Sequence, residues 1–137
     1  MSISMMALAG FAAWTLAFII VTIGYRGARV LTGQLKADAW TRGRAIEDPP
    51  VVKRLNDAFA NCLEMLPIFA AVILAAAVAG QSAITDGLAM IFLAARIGQS
   101  VSHIVSVHHL MIFFVRFPLF LVQVGILVIW LHGLLLG

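Results

Sequence analysis

Arg54, Asp57, Asn61 and Glu64 are separated by three, four and three positions, a spacing that sets them in one stripe along a helix. Glu64 stands inside an apolar stretch that runs from residue 58 to residue 80. A charge in such a segment is costly in a membrane and marks either a buried partner or a functional pocket. A second stripe follows. Gln99, Ser100 and His103 lie three, four and seven positions beyond Arg96, again on one helical face. Guanidinium is suited to forked recognition of carboxylates, and it also stabilises a thiolate. Two readings of these stripes stand side by side. One is a pocket for a small zwitterion. The other is a polar seam that glues two helices, with Glu64 and Arg96 meeting as a buried ion pair at similar depth.

Other chemistries find less support. Ser100 shares a face with His103, but no carboxylate is placed to orient the histidine, so no nucleophile–base pair can be argued. His108 and His109 are adjacent and diverge on a helix. With no cysteine or acidic ligand near them or His103, no metal is expected. Neither a Walker-type nor a dinucleotide glycine pattern occurs. Cys62 is the single cysteine; it allows no internal disulfide and is expected to pack as a small hydrophobe.

The elements that position these residues are legible from composition. Of 137 residues, 63% are hydrophobic and 11% charged, with a mean hydropathy of +1.06. A soluble domain is about half apolar and about a quarter charged, so the excess must face lipid. Four apolar runs, roughly 5–25, 58–80, 84–103 and 111–136, approach or exceed the ~20 residues that span a bilayer as a helix. The alternating ten-residue segments of a barrel are not seen. The expected fold is an all-α membrane protein, a four-transmembrane-helix bundle forming one domain over 1–137. The first run lacks a preceding Lys or Arg and is too long for a signal peptide, so it is expected to be a retained helix.

Finer features follow. The first helix is predicted to end near Gly24–Tyr25–Arg26, with Tyr25 and Arg26 as interfacial anchors. Gly10, Ala12, Ala13 and Thr22 favour close helix contact. Pro49–Pro50 opens the second helix, Pro67 predicts a kink in it, and Gly80–Gln81–Ser82 predicts a tight turn after it. The segment 106–114 carries the third connection. Arg116 and Pro118 precede the last helix, whose polar handles are Gln123, Trp130 and His132.

Seven of the nine Lys and Arg residues fall between Tyr25 and Leu55: Arg26, Arg29, Lys36, Arg42, Arg44, Lys53 and Arg54. This excess predicts that loop 26–53 is cytoplasmic and that both termini lie on the opposite side. It also favours contact with anionic lipid headgroups. No aromatic–basic interleaving or nucleic-acid module accompanies the charges, so no nucleic-acid partner is expected.

The run Arg54-x6-Asn61-x2-Glu64-x2-Pro67-x-Phe69 resembles the second-helix signature of the MAPEG family (membrane-associated proteins in eicosanoid and glutathione metabolism). Ala95–Arg96, with Gln99 and His103 after it, is similar to that family's third-helix pattern. The resemblance covers nearly the whole chain. It implies a homotrimer that binds glutathione as co-substrate between neighbouring subunits, near the cytoplasmic face. It also implies transferase or peroxidase chemistry on lipophilic electrophiles or hydroperoxides that arrive from the membrane lipid. By the same resemblance Arg54, Asn61, Glu64, Arg96, Gln99 and His103 form the glutathione-binding set. Arg96 pairs with Glu64 at the pocket floor, and Arg116 is the catalytic arginine beside the thiol. The chain departs from the pattern at Asp57 and Ala60, where eicosanoid-handling members carry arginines. It departs again at Phe117 and Phe120, where a serine and a tyrosine are expected. Eicosanoid synthesis is therefore not expected. Two alternatives remain: a membrane protein of this fold without glutathione chemistry, and a small proton-coupled transporter working through Glu64. A clean first helix and a neutralising Arg96 disfavour the transporter.

Overall fold

The computed structural model describes residues 1–41, 48–105 and 108–137. Arg42 and Arg44 of the basic loop, and 106–107 of the third connection, lie outside the described residues. Four helices cross the expected thickness: α1 (Ile3–Leu31), α2 (Pro50–Val78), α3 (Ser82–Val105) and α4 (His109–Leu136), each long and apolar enough to span a bilayer. The basic loop between α1 and α2 defines a loop side; the short α2–α3 turn and both termini lie at the far side.

Each boundary has a local cause. Ser2 caps α1, its hydroxyl accepting the Met5 N–H at 3.2 Å. The helix overruns the expected stop at Tyr25 and reaches Leu31. Arg26 and Arg29 are good helix formers, and Tyr25 and Arg29 support each other one turn apart, Arg29 donating to the Tyr25 hydroxyl at 2.8 Å. The true stop is Gly33 at φ 76°. Its N–H returns to the Val30 carbonyl while the Gln34 N–H returns to Arg29, both at 3.0 Å, the paired closure that a left-handed glycine permits. Gly80, at φ 70°, ends α2 in the same way through Ala77 and Ala76, as the predicted turn required. Pro50 occupies the first turn of α2, where its missing N–H costs nothing. The helix continues unbroken past Pro67 to Val78.

α3 is the central helix and packs against each of the other three. Gly10 lets α1 approach it closely, since a Cβ there would sit 3.0 Å from Leu93 Cδ2; Ala12 and Ala13 are exposed instead. Every helix contributes one ring to an aromatic layer of Phe11, Phe69, Phe92 and Trp130, all fully buried. Phe69 stacks on Phe92 with centroids 4.3 Å apart, and Trp130 lies 5.9 Å from both. Lipid tails are as apolar as these rings, so shape-matched contact holds the layer together more than exclusion of water does. At the far side Asp86 of α3 accepts both the N–H and the hydroxyl of Ser4, at 2.9 and 2.6 Å, and so fastens the first turn of α1.

Candidate functional site

The inward face of α2 is the stripe Ala58, Cys62, Met65, Phe69, Val72, Ile73 and Ala76. The polar stripe lies one position away on the helix, about 100° around the axis, and so falls on the rim of the bundle. Asn61 is half-buried there, while Asp57 and Glu64 are exposed.

Behind that rim, on the loop side of the aromatic layer, lies a buried polar cluster. Arg96 is fully buried. Its Nη2 donates to Asn61 Oδ1, and its Nη1 donates to Gln123 Oε1 at 3.4 Å. Gln123, also fully buried, donates through Nε2 to Gln99 Oε1 at 2.6 Å and to the Leu119 carbonyl at 3.1 Å. Ser100 donates its hydroxyl to the Arg96 carbonyl at 3.0 Å and lies 3.2 Å from Cys62 Sγ. Cys62 is enclosed, as expected of a packing cysteine.

The expected ion pair between Arg96 and Glu64 does not form within the protomer. The guanidinium is engaged by the two amides instead. The rotation of α2 explains this, since it turns Asn61 toward α3 and leaves Glu64 outside. Glu64 makes no hydrogen bond or ion pair with the described residues of its own chain.

A second cluster sits nearer the loop side. Arg116 Nη1 donates to His103 Nδ1 at 3.3 Å, which joins the start of the last span to the end of α3. Arg116 closes a π-helical turn, Ile112–Arg116, a widened geometry frequent at functional sites. Arg54 Nε donates to the Ile104 carbonyl at 2.7 Å, satisfying one of the orphan acceptors at the end of α3. Beside Arg116, residues His109, Leu110, Ile112, Phe113, Phe114 and Phe117 line an open apolar groove of about 660 Å³.

With this geometry in place, the comparison with known families is decisive over nearly the whole chain: the MAPEG family model matches residues 4–136. The chain belongs to the MAPEG family. No curated protein and no solved structure matches it.

In this MAPEG chain the residues singled out from sequence divide into three groups. Asn61, Arg96 and Gln99 join one hydrogen-bonded cluster; His103 and Arg116 form another; Glu64 and Asp57 lie on the exposed rim between them. Phe69 belongs to the core. His108 and His109 stack on each other with centroids 4.5 Å apart and are exposed. Gln123 is the residue that sequence reasoning passed over, as a mere polar handle. Its signal was its isolation: a single buried amide in an apolar membrane span needs partners on a neighbouring helix.

Proposed function

We propose that this MAPEG protein is a membrane glutathione transferase or peroxidase for lipophilic electrophiles or hydroperoxides, acting as a homotrimer with glutathione held between subunits. One observation carries the reading. Glu64 and Asp57 are charged, lie on a membrane-spanning helix and are exposed on the protomer. Acyl chains are poor neighbours for a carboxylate. A second copy of the chain and a polar ligand between the two account for both the exposure and the charge.

Glutathione has the matching chemistry. Its amine suits Glu64, its carboxylates and peptide carbonyls suit Asn61 and the cationic corner, and Arg116 beside His103 suits its sulfur. A thiol near a guanidinium gives up its proton more readily. The resulting thiolate attacks the electrophilic carbon, a carbon–sulfur bond forms, and the leaving group departs with the bonding pair. With a hydroperoxide, two glutathiones give one disulfide, an alcohol and water. The apolar groove beside Arg116 is lined by exposed side chains, a surface suited to a lipid-dissolved substrate. The basic loop favours a cytoplasmic face for that end, and glutathione is taken from there.

The test is turnover. Purified protein is expected to conjugate glutathione to a chlorinated nitroaromatic. Arg116→Ala is expected to lower kcat about 100-fold, the scale for removing one donor to a developing anion. Glutathione binding without turnover across a panel of electrophiles and hydroperoxides would replace the enzyme by a binding protein of the same fold.

A further inference from the structure

The buried cluster has a direction, and elementary chemistry fixes it. Arginine has only donors. The atom of Asn61 that faces Arg96 must therefore be its oxygen, and so must the atom of Gln123. Gln123 then points its nitrogen the other way, and the Gln99 atom that receives it is again an oxygen. Both protons of the Gln123 amide are used, one on Gln99 and one on the Leu119 carbonyl. Each amide oxygen in the chain is turned toward the guanidinium or toward the amide that the guanidinium orients. The amide nitrogens of Asn61 and Gln99 are left at the two ends, with no acceptor among the described residues of the protomer. Asn61 is the half-buried end, on the rim beside Glu64.

We infer that Gln123 is a positioning residue which, by anchoring Arg96, fixes the polarity of the site: Asn61 presents N–H donors outward, and the rim recognises the acceptor-bearing part of its ligand through them. This rests on the rim being the ligand site proposed above, and it goes further. It assigns a role to a helix that contributes no side chain to the rim stripe. It also divides recognition along α2, with a donor at position 61 and acceptors at positions 57 and 64. A ligand that carries an amine and a carboxylate or peptide carbonyl a few ångströms apart meets both. A ligand with two cationic groups does not.

Two measurements test this. The first needs no ligand: hydrogen exchange of side-chain amides in ¹⁵N-labelled protein in micelles, with Asn61→Asp and Gln123→Leu used to assign the signals. The Gln123 amide protons are expected to be strongly protected and those of Asn61 to exchange readily. Equal protection at both positions would overturn the polarity. The second is glutathione affinity in Gln123→Leu and Gln123→Glu. The leucine variant is expected to bind about tenfold more weakly, the scale of one lost hydrogen bond to a charged group. The glutamate variant gives up both donors but still accepts from Arg96, and is expected to bind more tightly than the leucine variant because Arg96 stays anchored. Equal binding by the two variants would reduce Gln123 to packing and overturn its positioning role. If the exchange pattern is as expected but the parent protein binds no glutathione, the polarity stands and the glutathione reading falls.

Discussion

Glu64→Leu gives the proposed site a direct test. Glu64 lies six residues inside the loop-side edge of the apolar run 58–80 (64 − 58), about 9 Å along the helix, between that edge and the middle of the span. Suppose the exposed rim faced acyl chains. Removing the carboxylate would then leave glutathione affinity unchanged, since the group would touch no ligand, and would cost no stability, since helices unfolded in detergent keep the same apolar surroundings. Suppose instead that the rim faces a ligand and a second subunit. The same change then removes a charge-assisted hydrogen bond, about 1.5–3 kcal/mol, which corresponds to glutathione binding roughly 10- to 150-fold weaker. Calorimetry of glutathione binding in micelles, together with unfolding in mixed sodium dodecyl sulfate and mild detergent, reads both quantities. The expected result is the loss of affinity with no gain in stability. Unchanged affinity in a variant of unchanged stability would place Glu64 in lipid and refute the reasoning.

Two further outcomes probe the scaffold. Phe69→Ala removes the ring that stacks on Phe92 and tilts against Phe11 and is expected to lower unfolding stability by about 2–4 kcal/mol in the same detergent titration, from lost packing and a residual cavity. Asp86→Ala removes the single carboxylate oxygen that accepts both hydrogen bonds from Ser4 and is expected to cost about 1–2 kcal/mol. Backbone hydrogen exchange should rise in the first turn of α1 and stay unchanged near Arg29.

The four spans were legible because hydropathy and length leave few other solutions for so apolar a chain. The ends of α2 were legible for a local reason, since Pro50 and Gly80 act through their own backbone geometry. The end of α1 was not. Tyr25 and Arg26 look like an interface in a linear reading, yet nothing in them stops a helix, and the stop comes at Gly33. The polar stripe of α2 was read correctly as a stripe. What spacing alone cannot give is its rotation about the helix axis relative to α3. Asn61 faces inward and Glu64 outward because Cys62, Met65 and Phe69 fill the core, and that choice is made by packing on three neighbouring helices. Gln123 was missed for the same reason: its partners Arg96 and Gln99 are on another helix and remote in sequence.

The order of layers along the bundle axis has a consequence for the membrane itself. A buried guanidinium with its attendant amides would ordinarily threaten to wet the interior and let ions through. Here the four fully buried rings of Phe11, Phe69, Phe92 and Trp130 lie as an apolar layer between that cluster and the far side of the bundle. A bilayer packed with this protein should stay electrically tight, with conductance indistinguishable from bare lipid, and a cell can carry many copies without dissipating its ion gradients.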